Sequence, residues 1–162
     1  MAKKWLKEKL VDPNLIERHV GSLREKKLSI ATLNGSFDLL HAGHLHMIYQ
    51  AHLQADHLIV CLNTDESIKS YKGKTRPIVS LPYRLEMIAA LSFVDSVTFF
   101  EETTPIILLE KIKPDVHVNG NEYGENCIEA PTVKKYGGTI HIVKLIEGLS
   151  TSNLIEKIKC AS

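Results

Sequence analysis

The sequence predicts an α/β protein built on an open, doubly wound parallel sheet of about five strands with flanking helices. Short runs rich in β-branched residues alternate along the chain with longer segments of helical period. The chain has 162 residues, the length of one domain, and no repeat or Pro/Gly/Ser-rich linker divides it. Because strands that alternate with helices are joined by right-handed crossovers, we expect all the strands to be parallel.

The predicted elements follow in order, and their alternation is typical of a Rossmann-like fold. Strands are expected where β-branched and apolar residues cluster, beginning with LSIATL, and helices where apolar residues recur every three or four positions. Pro82 suits the first turn of one of these helices. The predicted strands are 28–33, 57–62, 94–100, 115–118 and 139–143, and the predicted helices are 43–54, 81–92, 103–112, 132–136 and 150–159.

Residues 1–27 precede the first strand and form a predicted N-terminal helical extension to the domain 28–162. Their apolar residues are spaced like one or two amphipathic helices, interrupted near Asp12 and Pro13. We expect this segment to pack on the sheet or on a partner subunit, which makes a homodimer the expected assembly.

Composition and charge exclude several classes of protein. Twenty basic and 19 acidic side chains give a net charge of +1, so no overall field attracts nucleic acid or an anionic membrane. No apolar run approaches the roughly 18 residues that cross a bilayer. The start, MAKKWLKEKL, is too charged for a secretory signal, and the three cysteines show no paired spacing. We expect a cytoplasmic protein that binds neither membranes nor nucleic acid.

Histidines and glycines are concentrated between the first strand and the following helix, in the segment 35–44, GSFDLLHAGH. We expect Gly35 to allow a sharp turn and Gly43 to let a ligand approach the backbone. His41 and His44, at the start of a helix, can face one anion together with the free N–H groups of that helix. A zinc site is disfavoured, because Ala42 and Gly43 separate the two histidines in place of a His-Glu-x-x-His pattern and no cysteine pair lies near.

Two further segments have the residue types that bind phosphate groups. Ser150, Thr151 and Ser152 begin the last predicted helix, where hydroxyl groups also serve as ordinary caps. The basic segment 72–77, KGKTRP, contains three cations, Lys72, Lys74 and Arg76. Mobile cations suit phosphoryl chemistry because they neutralise developing charge.

These segments resemble the nucleotidyltransferase superfamily. The first resembles its signature Gly-x-Phe-Asp-x-x-His-x-Gly-His, and the hydroxyl segment resembles its Ile-Ser-Thr-Thr/Ser motif. The Lys-Gly-x-x-Arg-Pro form of the basic segment is similar to the adenylyltransferase domain of ADP-heptose synthesis, the D-glycero-β-D-manno-heptose 1-phosphate adenylyltransferases. The resemblance implies a stand-alone transferase that joins a nucleoside triphosphate, preferably ATP, to a sugar phosphate and releases pyrophosphate.

The resemblance also implies roles for individual residues. The implied catalytic residues are His41, His44 and Lys72. Those implied to bind the nucleotide and its phosphates are Asn34, Gly35, Ser36, Phe37, Asp38, Gly43, Lys74, Arg76, Asn119, Gly120, Glu122, Ser150, Thr151 and Ser152. Asp38 is expected to orient the loop or to contact magnesium through water. Mg²⁺ is expected to arrive bound to the nucleotide, with no protein ligands of its own.

The loop after the fourth predicted strand departs from the resemblance and leaves the acceptor open. The heptose-type relatives carry Lys-Gly-Gly-Asp there, whereas this chain has Asn119, Gly120, Asn121 and Glu122. Replacing a cation by an amide changes which phosphorylated group can be held. Residues 145–148 also lack the Arg-Thr-x-Gly of glycerol-phosphate cytidylyltransferases. The alternatives are a CTP-dependent enzyme for glycerol 3-phosphate or phosphoethanolamine, and a non-catalytic nucleotide-binding regulatory module.

Overall fold

A five-stranded, fully parallel sheet forms the centre of the protein, in a computed structural model that describes residues 3–161. The strand order is β3-β2-β1-β4-β5. The predicted α/β class is therefore confirmed, and so is the predicted number of strands. The strands are β1 (Ile30–Gly35), β2 (His57–Asn63), β3 (Ser96–Phe100), β4 (Val116–Gly120) and β5 (Thr139–Val143).

Helices connect successive strands and cover both faces of the sheet. They are α1 (Lys4–Lys9), α2 (Ile16–Glu25), α3 (Ala42–His52), α4 (Asp65–Lys72), α5 (Leu81–Ala89), α6 (Ile106–Ile112), α7 (Ala130–Lys135) and α8 (Thr151–Cys160). A short 3-10 turn, Pro13–Leu15, separates α1 from α2, and the Asp12 carboxylate accepts a hydrogen bond from the Asn14 N–H there. The interruption predicted near Asp12 and Pro13 is therefore present.

Helix α4 was not predicted, although its start carries clear signals. The Thr64 hydroxyl accepts a hydrogen bond from the Ser67 N–H at 3.2 Å, and Asp65 and Glu66 occupy the first turn. Both features stabilise a helix N-terminus. The helix is short and mostly polar, so it lacks the apolar period that identifies a longer helix from sequence.

Two apolar layers hold the sheet between its helices. On one face, Leu33, Leu58 and Val60 pack with residues of α3 and α5. On the other face, α2 and α6 cover Ile30 and Ile59. Helix α2 of the N-terminal extension therefore contributes buried side chains to the core of the sheet.

The sheet topology places one crevice at the carboxyl end of β1. Strand β1 pairs with β2 on one side and with β4 on the other, so the connections that leave these strands diverge to opposite sides. Ligands of open α/β sheets bind at such a point, outside the carboxyl ends of the strands. All of the predicted site residues lie in the segments that follow β1, β2, β4 and β5 or at the ends of these strands.

Candidate active site

A cleft of about 730 Å³ opens at this carboxyl edge of the sheet. Residues from the ends of the central strands form its floor, and the starts of α3 and α8 face it. The predicted site residues that line the cleft are Asn34, Gly35, Ser36, Phe37, His41, Gly43, His44, Lys72, Arg76, Asn119, Gly120, Glu122, Ser150, Thr151 and Ser152. Asp38 and Lys74 do not line it.

His41 caps the helix that carries His44. Its Nδ1 accepts hydrogen bonds from the N–H groups of Gly43, at 3.1 Å, and His44, at 3.4 Å. The two rings are stacked, with centroids 3.8 Å apart. We predicted that these helix N–H groups would bind the ligand directly, but His41 already occupies two of them. The imidazole ring therefore stands between the helix terminus and the cleft.

The hydrogen bonds of His41 determine which nitrogen can donate. Because Nδ1 accepts, the proton of the neutral ring lies on Nε2, and this buried atom has no partner within the described chain. The buried Nδ1 of His44 has no partner there either. Buried polar atoms are normally paired, so these two nitrogens are available to a ligand.

Burial keeps both rings neutral near pH 7. It lowers the pKa of His41, and it lowers the pKa of His44 to about 4, with further contributions from neighbouring His41 and Lys72. The negative charge of Asp38 acts in the opposite direction on His44. A bound phosphate would likewise favour the protonated rings, because an opposite charge nearby favours the charged form.

Packing within the protein gives one reason for the glycines of this segment. A Cβ on Gly43 would lie 2.9 Å from the His41 ring and 3.2 Å from the Leu149 side chain. A Cβ on Gly35 would lie 3.2 Å from the Phe37 ring. The sharp turn expected at Gly35 occurs instead at Phe37 and Leu39, which have φ angles of 46° and 48°. Side chains of this protein therefore restrict the space beside both residues, and the close approach of a ligand to Gly43, which lines the cleft, stays a prediction.

Asp38 is buried beneath the cleft and holds the basic segment in place. Its carboxylate accepts hydrogen bonds from the N–H groups of Ile78 and Val79, and it forms an ion pair with Arg76 at 2.7 Å. Burial alone would raise the pKa of Asp38, but these backbone N–H groups and Arg76 outweigh it and lower the pKa. Of the two roles expected for Asp38, the structure shows the orienting one.

The cations of the basic segment are held in different ways. Lys72 ends α4, and its Nζ donates to the Ser36 hydroxyl at 3.0 Å. Burial lowers the pKa of Lys72, and nearby Arg76 adds to the effect. Arg76 was expected to be a mobile cation but is paired with Asp38, and Lys74 is exposed outside the cleft. Arg76 thus lines the cleft while it is paired with Asp38, and the nucleotide contacts expected of Arg76 and Lys74 stay predictions.

Arg84 is a buried structural cation. Its guanidinium donates to the carbonyl oxygens of Ser36, Asn63 and Val79 and pairs with Asp65 at 2.7 Å. These bonds tie the ends of β1 and β2 to α5. The charge of Arg84 is therefore compensated within the fold.

The start of α8 closes the cleft from the β5 side. The Ser150 hydroxyl caps the helix by accepting from the Asn153 N–H at 3.1 Å. The Thr151 hydroxyl donates to the Asp38 carbonyl at 2.7 Å and so joins the two predicted motifs. Ser152 is exposed on the cleft rim. The hydroxyls of Ser150 and Thr151 therefore have structural partners, and the residues that begin α8 line the cleft.

The segment after β4 forms the remaining wall and contains residues that the sequence did not identify. Asn119 and Glu129 are both 5% exposed, and the Asn119 amide donates to the Glu129 carboxylate at 3.1 Å. A Cβ on Gly120 would contact the Glu122 carboxylate, the end of a flexible side chain that would have to move aside. Glu129 lies ten residues from Asn119, outside any motif, so no local pattern indicated it. The other lining residues that were missed include Tyr71, Tyr123, Ile128, Leu145 and Ile146.

Residues 3–161 contain neither a metal-binding cluster nor a membrane-spanning helix. No group of three or more His, Cys, Asp and Glu side chains in this range is arranged to hold a metal ion. No helix in the same range is long and apolar enough to cross a bilayer.

Comparison with protein families decides the class. A family model described as cytidylyltransferase-like matches residues 32–157. This range includes helix α3, which carries His44, and most of α8. The chain belongs to the cytidylyltransferase-like family. The nucleotidyltransferase class predicted from the motifs is thus confirmed.

Curated relatives are similar over nearly the whole chain. The bifunctional protein HldE of Pseudomonas putida (strain GB-1) is 44% identical over 141 residues, which cover 86% of this chain and 30% of the relative. The protein of the same name from Mesorhizobium japonicum is 38% identical over 157 residues, or 96% of this chain and 32% of the relative. The chain thus spans less than a third of the length of each of these curated relatives.

Two solved structures share the fold. The lipopolysaccharide core biosynthesis protein from Thermoplasma volcanium is 30% identical, with a TM-score of 0.59, and the match covers 74% of this chain and 97% of that one. A pantoate-β-alanine ligase from Francisella tularensis matches 94% of this chain and 79% of its own, with a TM-score of 0.55. At 16% identity the second similarity concerns the fold alone.

Proposed function

We propose that this chain transfers a nucleotidyl group from a nucleoside triphosphate to a sugar phosphate, with release of pyrophosphate. The observation that carries the proposal is the stacked pair His41 and His44, whose free ring nitrogens have no partner in the described chain. Because His41 also caps α3 and lines the cleft, its ring lies at the positive end of that helix beside the cleft. Such preorganised donors suit the oxygens of a phosphate in its transition state.

The chemistry requires positioning more than proton transfer. An oxygen of the acceptor phosphate attacks the α-phosphorus and forms a P–O bond, and the bond from that phosphorus to the β-phosphate oxygen breaks. A phosphate monoester is largely ionised near pH 7, so its oxygen needs no strong general base. The task of the protein is to hold both phosphates in line and to stabilise the charge that develops.

The other cleft residues supply this stabilisation in the proposed scheme. His41 and His44 donate to the α- and β-phosphates. The first turn of α8 binds the outer phosphates through its backbone N–H groups, because the hydroxyls of Ser150 and Thr151 are already engaged. Lys72 approaches from the β2 side by leaving its bond to Ser36. The nucleotide enters as its Mg²⁺ complex, and that ion spreads the negative charge of the phosphates.

ATP and a heptose 1-phosphate are the proposed substrates. The Lys-Gly-x-x-Arg-Pro segment resembles the adenylyltransferase domain of ADP-heptose synthesis, and one structural relative is described as a lipopolysaccharide core biosynthesis protein. The loop at residues 145–148 lacks the arginine of the CTP-dependent relatives. These three facts support ATP and a sugar phosphate over CTP and glycerol 3-phosphate.

A substrate screen tests the proposal. Purified protein is incubated with ATP or CTP and with a heptose 1-phosphate, glycerol 3-phosphate or phosphoethanolamine, and pyrophosphate release is measured. We expect release with ATP and the sugar phosphate. Release with CTP and none with ATP would refute the choice of nucleotide, and nucleotide binding without release for any acceptor would favour a regulatory module.

A further inference from the structure

Glu129 is a buried carboxylate in the wall of the cleft, and no motif of the family resemblance includes it. It is 5% exposed, precedes α7, and accepts a hydrogen bond from the Asn119 amide. A carboxylate offers about four acceptor positions on its two oxygens. One contact with Asn119 therefore leaves acceptor capacity beside the cleft.

No cation of the described chain compensates this carboxylate. Within residues 3–161, Glu129 forms no ion pair with a lysine or an arginine. The buried imidazole of His117 is nearby, but its Nδ1 is bonded to the Thr32 hydroxyl at 2.8 Å, and burial lowers its pKa to about 4. Its ring is therefore neutral near pH 7. A buried, unpaired carboxylate is costly, and donors from a ligand would reduce that cost.

The charges of the cleft are separated across the central strand. Lys72 ends the helix that follows β2, whereas Asn119 and Glu129 belong to β4 and the segment after it. Strand β1 lies between them, with the two histidines at its carboxyl end. Adjacent strands are about 4.8 Å apart, so the cation and the carboxylate lie on opposite sides of the phosphate donors.

The distribution of charge in the cleft determines which kind of chemical group can bind beside β4. An anionic group there would meet an unpaired carboxylate and be repelled. Uncharged groups with two neighbouring donors suit it best, because one carboxylate can accept from both. The vicinal hydroxyls of a sugar have this form, and both proposed substrates contain a sugar.

We propose that Glu129, positioned by Asn119, is a specificity-determining residue that accepts hydrogen bonds from vicinal hydroxyls of a bound sugar and excludes a phosphate from that position. The proposal rests on the proposed function, since it takes the sugar from either the nucleotide or the acceptor. It goes further than the proposed function because it assigns the wall that contains Asn119 and Glu129 to the neutral, hydroxylated ring of a sugar.

Binding measurements with hydroxyl-deleted ligands test this role. Dissociation constants are measured by calorimetry for the wild type, Glu129→Gln and the control Glu125→Gln, which removes the same charge from an exposed residue outside the cleft. One arm compares ATP with 2′-deoxy-ATP and 3′-deoxy-ATP. The other compares a heptose 1-phosphate with its deoxy analogues. Glutamine at 129 can still accept from Asn119, and thermal melting verifies that the variant folds.

We expect the wild type and Glu125→Gln to bind the hydroxylated ligand of one arm about 10-fold to 100-fold more tightly than its deoxy analogue. In Glu129→Gln the ratio of the two dissociation constants falls to a few-fold. Whether it falls for the ATP analogues or for the heptose 1-phosphate analogues shows whether Glu129 binds the sugar of the nucleotide or of the acceptor. Equal ratios in all three proteins, in both arms, would overturn the proposal. Loss of discrimination between ATP and ITP in the variant, with sugar ratios intact, would also overturn it by assigning Glu129 to a nucleobase amine.

A second variant tests the exclusion of anions and does not depend on the folding of Glu129→Gln. Asn119→Lys places an ammonium group beside Glu129, so we expect it to bind a sugar bisphosphate at least about 10-fold more tightly than the wild type does. Unchanged bisphosphate affinity would contradict the exclusion. Pyrophosphate release by the wild type separates the two proposals. If the wild type turns over and Glu129→Gln keeps the wild-type ratios of dissociation constants, only the role of Glu129 is refuted. If the ratios change in Glu129→Gln but the wild type releases no pyrophosphate, only the transferase function is refuted.

Discussion

Replacing His41 should separate two roles of one ring. Its Nδ1 caps α3 by accepting from the N–H groups of Gly43 and His44, and its Nε2–H is free to donate into the cleft. Alanine removes both roles. Asparagine keeps an acceptor at the cap, where it is among the preferred residues, but its short side chain cannot replace the distant Nε2–H donor.

The structure gives the expected sizes of the two effects. Loss of a helix cap costs about 1 kcal/mol, which lowers the melting temperature of a protein of this size by about 2–4 °C. Loss of one preorganised donor to a developing charge lowers kcat by about 10²- to 10³-fold. His41→Ala should therefore lose both activity and stability, whereas His41→Asn should lose a similar activity and melt near the wild-type temperature.

Pyrophosphate release under saturating substrates measures kcat, and thermal unfolding followed by circular dichroism measures stability. Because the donor acts mainly in the transition state, kcat should fall more than KM rises. Wild-type kcat in His41→Asn would refute the assigned donor role. Equal losses of melting temperature in the two variants would refute the assigned cap.

Three other substitutions, one of them with a matched control, test residues that support the site. Gly43→Ala should lower activity and should lower the free energy of unfolding by about 1–3 kcal/mol, because the new Cβ meets the His41 ring. The control Gly21→Ala on α2 has open space, so it should raise the free energy of unfolding by about 0.5–1 kcal/mol with normal turnover. Chemical denaturation measures the stability of both variants and the pyrophosphate assay their turnover, and equal effects would contradict the packing argument. Asp38→Asn should destabilise by about 3 kcal/mol by breaking a buried ion pair. Since the folded pKa of Asp38 is lowered, this difference from the wild type should be full above pH 4, about the ordinary Asp pKa, and should shrink as the pH falls further. Urea unfolding at several pH values would show it, and a difference that is constant down to pH 2 would count against the ion pair. The wild type should lose stability as the pH falls from about 6.5 to 4, because the unfolded chain protonates His117 in that range and the folded chain does so only near its pKa of about 4. His117→Gln should lose less stability over the same range. An unchanged pH slope in the same urea experiment would show that His117 is not the group that titrates.

The sheet could be predicted because each strand has its own local signal. Runs such as LSIATL are apolar and β-branched, and central parallel strands require that composition since both faces are buried. Helix α4 has no comparable signal, because only its caps and acidic first turn mark it. The cleft residues near β1 and α8 were found for the same reason as the strands: each belongs to a continuous motif.

The contacts that could not be predicted join distant parts of the chain. Arg76 is a cation of a basic loop in the sequence, but in the fold it meets Asp38, 38 positions earlier. Gly43 is adjacent to Leu149, which follows it by more than a hundred residues. Glu129 meets Asn119 across a loop without a motif. Sequence spacing indicates which residues share an element, but it does not indicate which elements meet.

The distribution of charge in the cleft gives the site a distinct physical character. Two cations line the cleft within the described chain, and Arg76 is already paired with Asp38, which leaves Lys72 to meet a ligand. Arg84 is neutralised below the surface by Asp65 and three carbonyl groups. In the proposed function, Lys72 is joined by neutral donors, namely two imidazoles and the first turn of α8. Fixed dipoles need no reorganisation when charge moves from the attacking oxygen to the leaving one, whereas a mobile cation must follow that charge. Under that proposal a chain with a net charge of +1 binds highly charged substrates because its donors are concentrated at one cleft.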